Sequence, residues 1–364
     1  MTTCSAVPRR AVDHLLRAAV AAPSLHNSQP WLFTCAADDV VLSADVTRLL
    51  PVTDPTGREA LISCGAALFN LRAAMRHLGF RPVVRSHPEP HRHPRLAQVS
   101  WGPYAPSTPE EELLHRAIRI RHTHRGPFQP DQVPPELIAA LQEQARIEGA
   151  ELITLPDARE QRDLAELIRE AEAAQRCSPP HLAELSHWRR PFGSGREDGI
   201  PADSCPFHPD STLFAGRDFT GLTRARPTAG PGMSWPSRTG LVALLSTPRD
   251  TPQDWLRAGQ ALQRVLLYAA SRQVMAGFHT QPLEVPYLRA EVRALVPSRQ
   301  FPQMILRLGY TRWRLATYRR PIAQVLRSRP QAYPSHTATP DGRVQEVRSR
   351  SKAERPLPTG RHGA

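Results

Sequence analysis

Arginines and a threonine alternate in the segment RIRHTHRGPF, residues 119–128. Arg121, Thr123 and Arg125 stand at positions i, i+2 and i+4, which point to the same side of an extended backbone. Two guanidinium groups with a hydroxyl between them suit a phosphate, because arginine forms bidentate, charge-assisted hydrogen bonds to its oxygens. The segment therefore predicts a phosphate site, with a solvated basic turn as the alternative.

Two further segments carry polar groups that suit an anion or a cofactor. RLGYTRWRLATYRRP (307–321) follows a predicted strand and contains Arg319 and Arg320, which could reach the same anion as the first cluster. GFHTQPLEVP (277–286) predicts a tight loop rich in backbone donors. An ordinary helix-to-strand connection is the alternative for this loop.

Small polar residues also crowd the segment AAPSLHNSQPWLF, residues 21–33, directly behind an apolar helix. Many helices end at a single glycine, whereas this exit has proline, serine, histidine and two amides. Two interpretations are open, an ordinary loop or one wall of a cofactor site.

The elements that position these segments follow from hydrophobic periodicity. Val12, Leu15, Leu16 and Ala19 are spaced i, i+3, i+4 and i+7, which predicts a helix that ends before Pro23. The other predicted elements of the first half are strands at 31–35, 40–44, 83–84 and 96–100 and a helix from about 61 to 79.

The second half repeats this order, with a helix, a strand, a strand, a long helix and a closing strand. The predicted ranges are 134–147, 151–155, 241–246, 253–275 and 304–308, with an extra charge-rich helix at 158–176. The segments 62–82 and 256–282 both have an early glycine, a Leu/Ala-rich helix and a glycine at the exit. We therefore predict one structural unit in each half, at 1–102 and 103–326.

The two remaining regions are rich in proline, arginine and small residues. The insertion at about 184–240 contains tryptophan and phenylalanine side chains, which favour a lid over a solvated spacer. The segment 327–364 is aperiodic and predicts a disordered basic tail.

The composition argues against several classes of protein. The net charge is +13, but Lys352 is the only lysine and the arginines are scattered, so a nucleic-acid-binding function is a distant alternative. The five cysteines include no CxxC pair, which argues against a disulfide framework. No apolar run reaches the length of a membrane span, and the N-terminal residues resemble an amphipathic helix rather than a signal peptide. We expect a cytoplasmic protein without a membrane or nucleic-acid partner.

Other motifs carry no chemistry. The histidines of HPEPHRHP (87–94) lack regular spacing and a cysteine partner, so we predict no metal site. GSG at 193–195 does not lie between a strand and a helix, and no GxSxG, HExxH or Walker motif occurs.

Taken together, the motifs resemble the nitroreductase superfamily of FMN-binding oxidoreductases. APSLHNSQPW (22–31) is similar to the family's APSxxNxQPW segment, RHTHRGPF (121–128) to its phosphate-binding arginine motif, and GFHTQPLE (277–284) to its loop beside the flavin. Arg319 and Arg320 resemble its C-terminal basic pair. The order differs, because APSxxNxQPW normally follows the arginine motif within one subunit.

This order resembles the Acg-type branch, in which one chain mimics the nitroreductase homodimer. The second half has no second APSxxNxQPW, since its helix exit reads ARIEGAELITL (145–155). DPTGREALISCGAAL (54–68) and ELSHWRR (184–190) strengthen the assignment. The resemblance implies an α+β, nitroreductase-like fold of two pseudo-symmetric halves, each a mainly antiparallel sheet flanked by helices. It also implies a monomer with a single composite FMN site and a degenerate second site.

The resemblance assigns roles to residues at three places around the flavin. Arg121, Thr123, Arg125, Arg319 and Arg320 would bind the phosphate and ribityl end, and His122 replaces a usual arginine. The ring system would contact the remaining residues, namely Pro23, Ser24, Leu25, Pro282, Leu283, Glu284 and Val285, with Asn27 and Gln29 fixing the loop or the ribityl hydroxyls.

The function implied is FMN-dependent oxidation of NAD(P)H with reduction of a nitro compound, a quinone or a similar acceptor. The flavin carries that chemistry, so no catalytic residue of the chain is required. The alternative is a non-catalytic protein that binds or sequesters FMN under its lid.

Overall fold

Helix α1 (Arg9–Val20) turns its apolar stripe inward, and Leu15, Leu16 and Ala19 on that stripe are fully buried. The computed structural model describes residues 8–36, 39–86, 95–205, 208–219, 238–296, 300–313, 315 and 317–327. In that part of the chain no helix has the length and apolarity needed to cross a membrane.

A helix and four strands follow α1 in the first half. They are β1 (Trp31–Ala36), β2 (Asp39–Ala44), α2 (Arg58–His77), β3 (Phe80–Ser86) and β4 (Arg95–Tyr104). The strands form an antiparallel sheet in the order β1-β2-β4-β3. Alternate β2 side chains are buried, so this face of the sheet packs on the core that α1 and α2 share.

The second half contains a similar set of elements with an insertion. They are α3 (Pro109–Ala117), α4 (Pro135–Ile147), β5 (Glu151–Thr154), α5 (Ala158–Arg176), α6 (Pro179–Trp188), β6 (Arg189–Arg190), β7 (Ile200–Pro201), β8 (Leu241–Thr247), α7 (Pro252–Ser271), β9 (Val274–Phe278), α8 (Pro286–Ala294), β10 (Phe301–Tyr310), α9 (Ile322–Val325) and β11 (Leu326–Arg327). Its main sheet is antiparallel, in the order β5-β8-β10-β9.

The two sheets have the same order of equivalent strands, so the halves are pseudo-symmetric. If α4, β5, β8, α7, β9 and β10 are matched in chain order with α1, β1, β2, α2, β3 and β4, then β5-β8-β10-β9 corresponds to β1-β2-β4-β3. The predicted α+β fold with two related halves is confirmed. The C-terminal strand β11 breaks the symmetry because it pairs parallel to β1, at the edge of the first half's sheet.

Helices α2 and α7 cross at the pseudo-symmetric centre through a pair of glycines. A methyl group on Gly259 would collide with the Ile62 carbonyl oxygen, and one on Gly65 with the Leu256 carbonyl oxygen. Two helix backbones therefore touch at this crossing, and only glycine fits there.

Most predicted elements are confirmed within a few residues, and the charge-rich helix 158–176 has the predicted bounds. The predicted helix 253–275 is wrong at its end, because α7 stops at Ser271. Gln273 has a positive φ of 65°, and the chain then forms β9, paired with β10. The continuous apolar run did not separate buried helix from buried strand.

The insertion and the tail are only partly within the described residues. Trp188 and Phe214 are buried, whereas Phe192 is 81% exposed. The insertion's residues 206–207 and 220–237 lie outside the described residues, as do the histidines of 87–94. The predicted tail also lies outside them, apart from Arg327 in β11.

Candidate cofactor site

The exit of α1 forms one wall of a large cavity. Residues 23–27 all line it, through a short 3-10 turn, Leu25–Asn27, that follows an extended Ser24. His26, Asn27 and Gln29 have φ values of 51°, 53° and 52°. Residues other than glycine rarely adopt this conformation, so tertiary contacts must hold the loop.

Asn27 supplies several of these contacts. Its Nδ2 donates to the Gly199 carbonyl oxygen at 2.9 Å and to the Tyr318 carbonyl oxygen at 3.1 Å. Its Oδ1 accepts from Nη1 of Arg319 at 3.0 Å. The amide joins the loop to the insertion and to the C-terminal segment.

Gln29 makes a second junction of the same kind. Its Nε2 donates to the Glu197 carbonyl oxygen at 2.9 Å, and its Oε1 accepts from the Arg320 backbone N–H at 2.8 Å. The Gln29 N–H donates to Ser24 Oγ at 3.0 Å. Of the two roles open for these amides, the contacts in the structure are those of fixing the loop.

Three arginines converge on this wall from different parts of the chain. Arg121 and Arg319 each donate from Nη2 to the Ala21 carbonyl oxygen at 3.4 Å, at the end of α1. Arg125 and Arg319 line the cavity. No ion pair in the described part of the chain involves any of the three arginines.

Burial leaves part of this charge without a partner. Nε and Nη1 of Arg121 and Nε of Arg319 are buried and have no hydrogen-bond partner. Burial lowers the pKa of Arg121 to about 10, with Arg125 adding to the effect. Burial, then Arg121 and Arg125, lowers the pKa of Arg319 to about 9. Three guanidinium groups that repel one another favour a multiply charged anion between them.

Thr123 lies between these arginines on an extended segment beside β9. It forms a parallel bridge with Ala276, and the His124 N–H donates to the Ala276 carbonyl oxygen at 2.8 Å. Thr123 and Arg125 both line the cavity, whereas Arg121, the third residue of the predicted alternation, does not.

Helix α2 contributes a buried carboxyl group, that of Glu59, to the same cavity. Glu59 lines the cavity and accepts from Nη2 of Arg58 at 2.7 Å. Burial raises the pKa of Glu59 to about 8, with Arg58 opposing and the carboxylates of Glu284 and Asp54 adding. Burial therefore favours the protonated form of Glu59, against the pull of the Arg58 guanidinium.

His26 is a second titratable group on the cavity wall. It is 3% exposed, and neither ring nitrogen has a hydrogen-bond partner. Burial, followed by the charge of Arg217, lowers its pKa well below the usual value. A neutral imidazole with a free donor and a free acceptor suits a ligand that offers both.

The loop after β9 contacts the cavity with residues 278–281 rather than with the predicted 282–285. Glu284 instead accepts from Arg217 at 2.5 Å and from Gln175 at 2.7 Å. Leu283 packs into the core beneath α5 and α8. The 3-10 turn Gln281–Glu284 aims these side chains away from the cavity.

The insertion covers another side of the cavity. Ile200, Cys205, Pro209 and residues 216–219 line it. Arg217 is held by Glu284, and Arg125 lies over the Phe219 ring at 5.6 Å from its centroid. The described part of the insertion therefore forms one wall of the cavity.

The empty space within these walls, counted out to its open mouth, is about 1290 Å³. Apolar side chains from α2, α7, β9 and β10 line it beside the arginines, namely Ile62, Ala66, Leu262, Phe278 and Met304. This combination of apolar walls and a few convergent polar groups is typical of a small-molecule site.

The structure brings half of the predicted site residues to the cavity. Those lining it are Pro23, Ser24, Leu25, Asn27, Thr123, Arg125 and Arg319. Those behind the wall or beside it are Gln29, Arg121, Arg320, Pro282, Leu283, Glu284 and Val285. The guanidinium group of Arg320 already has partners within the chain: it donates to the Gln29 carbonyl oxygen at 3.2 Å and lies 3.6 Å from the Asp45 carboxylate.

The sequence analysis missed several lining residues. His26 and Glu59 lie inside quoted motifs, at positions with no role assigned. Arg217 and Arg307 carried no local signal, because their relevance depends on pairing across the fold. Arg307, on β10, donates to Nε2 of His279 at 2.7 Å.

Comparison with known proteins identifies the family. No protein-family model matches the chain. "Putative NAD(P)H nitroreductase acg" of Mycobacterium tuberculosis H37Rv is 32% identical over 328 residues, covering 87% of this chain and 96% of the relative. "Putative NAD(P)H nitroreductase Rv3131" of the same strain is 32% identical over 306 residues, covering 82% and 85%. The chain belongs to the Acg-type branch of the nitroreductase family.

The solved structures that match this chain are less similar to it than the sequence relatives are. A nitroreductase with bound FMN from Bacteroides fragilis covers 57% of this chain and 93% of its own, at 15% identity and a TM-score of 0.34. The FMN-dependent nitroreductase NfnB from Mycobacterium smegmatis, in complex with NADPH, covers 55% and 88%, at 19% identity and a TM-score of 0.34. The family assignment rests on the sequence relatives.

Proposed function

We propose that the chain binds one FMN in this cavity and acts as an NAD(P)H-dependent oxidoreductase on a nitro compound, a quinone or a similar acceptor. The observation that carries the proposal is the convergence of Arg121, Arg125 and Arg319, with buried donors left unpartnered, beside an apolar cavity. These residues fit a phosphate at one end and a flat apolar ring at the other.

Each part of FMN would contact a different group of residues. Arg125 and Arg319 on the cavity wall would hold the phosphate, with Thr123 as a hydroxyl donor and with Arg121 adding positive charge from behind the wall. Pro23, Ser24 and Leu25 would contact the ring system, while Asn27 and Gln29 hold the loop in shape. Bound FMN would supply the hydride and electron transfer.

Two side chains of the cavity would assist such a reaction, one by transferring a proton and one by orienting the acceptor. Reduction of a nitro or quinone acceptor consumes protons as well as electrons. Glu59, with a pKa of about 8, can release a proton and recover it near neutral pH. His26 has a free donor and a free acceptor with which to orient an acceptor.

A spectrum under anaerobic conditions tests the proposal. The purified protein should have the absorption of bound flavin, and NADH or NADPH should bleach it. A nitroaromatic or a quinone should then restore it. A protein that stays colourless and cannot be reconstituted with FMN contradicts the proposal.

A non-catalytic FMN-binding function is favoured by the contacts that fix the insertion beside the cavity. Asp198 accepts from Arg48 at 2.6 Å and from Arg196 at 2.9 Å, next to Gly199, which accepts from Asn27. A lid held in this way would protect FMN and exclude the nicotinamide.

Loosening the lid separates the two functions. Asp198→Asn removes both ion pairs, and the exposed Asp203→Asn in the same segment is the matched control. Catalysis with a mobile lid predicts reduction by NAD(P)H in the wild type and faster flavin release in Asp198→Asn. Bound FMN that NAD(P)H fails to reduce in wild type, Asp198→Asn and control alike favours storage.

A further inference from the structure

Three histidines from three helices meet in one cluster. His14 lies on α1, His77 ends α2, and His115 lies on α3. Each offers one ligand atom, and these atoms all lie within 4.8 Å of one another. The ring centroids are 5.4 Å apart for His14 and His77, 5.2 Å for His14 and His115, and 3.9 Å for His77 and His115.

The hydrogen bonds of this cluster leave its inner atoms without partners. Nε2 of His14 and Nδ1 of His115 are buried and have none. His77 differs, because its Nδ1 lies 2.9 Å from Oε2 and 3.0 Å from Oε1 of Glu112. A carboxylate on one ring nitrogen fixes the tautomer and leaves Nε2 of His77 as a ligand atom.

Burial and neighbouring positive charges favour the neutral forms of His14 and His115. Burial, followed by His77, lowers the pKa of both His14 and His115, and that of His115 falls to about 4. Arg119 and Arg17 also lower the pKa of His14, whereas Glu112 acts in the opposite direction on His115. Neutral imidazole is the form that binds metal ions.

We propose that His14, His77 and His115 bind one divalent transition-metal ion of the zinc class, with Glu112 orienting His77 and water in the fourth position. Imidazole suits zinc, copper and nickel rather than magnesium or calcium. Zinc–nitrogen bonds of about 2.0–2.1 Å place tetrahedral ligand atoms about 3.3 Å apart. Binding therefore draws the three rings together and tilts the stacked His77 and His115 rings, because each lone pair lies in its ring plane.

The site would cross-link the elements that lead into the cavity. Helix α1 leads to the loop at 21–30, and α3 leads to Arg121 within four residues of its end. A metal ion between them ties the two helices to the end of α2. This cluster was not predicted from the sequence, since its histidines are 63 and 38 residues apart and lack motif spacing.

Zinc titration by calorimetry tests this site on the full chain after treatment with EDTA. We expect one Zn²⁺ per chain in the wild type and at least a 100-fold loss of affinity in His14→Gln and His115→Gln. Glu112→Gln should bind about 10- to 100-fold more weakly, as outer partners of metal ligands do. Circular dichroism and the metal-free Tm establish that each variant folds.

Two controls separate this site from other histidines. His187→Gln changes a histidine outside the cluster, and a triple variant of His87, His91 and His93 removes the histidine-rich segment. Both should keep the affinity of the site and the rise of Tm with Zn²⁺. The proposal is overturned if no stoichiometric binding occurs, or if binding survives in His14→Gln and His115→Gln and is lost in the triple variant.

Discussion

Arg121 carries a buried charge that costs stability unless an anion binds it. It is 6% exposed, has two unpartnered nitrogens, and has no acidic partner in the described part of the chain. An uncompensated buried charge costs several kcal/mol. A residue of this kind favours ligand binding at the expense of stability, and this trade-off is common at functional sites.

Replacing Arg121 by methionine should therefore separate affinity from stability. We expect the Tm of the flavin-free protein to rise, because the buried charge is gone. FMN should bind about 10- to 100-fold more weakly, since a charge-assisted hydrogen bond contributes about 1.5–3 kcal/mol. Riboflavin, which lacks the phosphate, should bind as it does to the wild type.

Fluorescence titration with FMN and riboflavin measures both affinities, and thermal denaturation measures the Tm. The exposed Arg312→Met is the matched control and should change neither. Equal weakening of FMN and riboflavin would place Arg121 away from the phosphate.

Glu59 should make the protein less stable as the pH rises. Its pKa is about 8 in the folded chain and about 4.3 when unfolded, so the folded state binds more protons between these values. Glu59 then contributes a fall in the free energy of unfolding as the pH rises from about 5 to 8, whereas the buried histidines, whose pKa values are lowered, contribute a rise that ends near pH 6.5. Asp54, whose pKa burial raises to about 6, acts in the same direction as Glu59.

Glu59→Gln removes the larger of these two contributions. Urea denaturation at several pH values between 7 and 8, above the range in which the histidines titrate, should give a flatter dependence than in the wild type. The exposed Glu136→Gln should keep the wild-type slope. An unchanged slope in Glu59→Gln would show that this carboxyl is ionised throughout the range.

The local conformation of neighbouring residues was predictable from the sequence, whereas the contacts between residues distant in sequence were not. The alternation of Arg121, Thr123 and Arg125 predicted an extended segment, which the bridge to Ala276 bears out. No pattern could predict that Glu284 faces Arg217, since the two are 67 residues apart. The pKa of Glu59 likewise depends on burial that only the folded chain creates.

At the scale of elements, the crossing of α2 and α7 is the contact that joins the halves. The early glycine in each helix was visible as self-similarity of the sequence, at Gly65 and Gly259. The reason for those glycines was not visible, because it depends on the close approach of two backbones. The Cα of Gly259 lies 3.0 Å from where a Cβ on Gly65 would stand.

Gly259→Ala should therefore destabilise the protein strongly. The methyl group would strike the Ile62 carbonyl, and backbone yields less readily than a side chain. We expect a loss of roughly 3 kcal/mol, the upper end for overpacking. Denaturation in urea measures it, with Gly195→Ala as the control, since nothing lies within 4 Å of a methyl there. Similar midpoints for the two variants would contradict the tight crossing.

At the scale of the whole molecule, the two halves share strand order but differ at the site. The connection from α1 to β1 has ten residues, 21–30, and these form the wall of the cavity. The equivalent connection from α4 to β5 has only three, 148–150. Gly149, with a φ of 77°, makes this turn as short as it is.

The three-residue turn is too short to form a second loop like that of residues 23–27. Periodicity predicted both halves, and the missing second motif predicted the asymmetry. The parallel pairing of β11 with β1 was not predictable, because two residues carry no periodic signal. Through that pairing the C-terminal segment with Arg319 reaches the loop of the first half.

We therefore expect one FMN for each chain, in a protein that is monomeric in solution. A single chain already supplies the loop wall from its first half and the arginines from its second. Native mass spectrometry of the reconstituted protein measures the chain count and the flavin count together. Ser24→Ala with Asn27→Ala should lower the flavin occupancy, because Asn27 joins the loop to Gly199 and Arg319. Gln142→Ala, in α4 and beside a pocket that the short turn also lines, should leave it unchanged. Two flavins per chain, or a site completed only in a dimer, would show that the halves do not divide the site in this way.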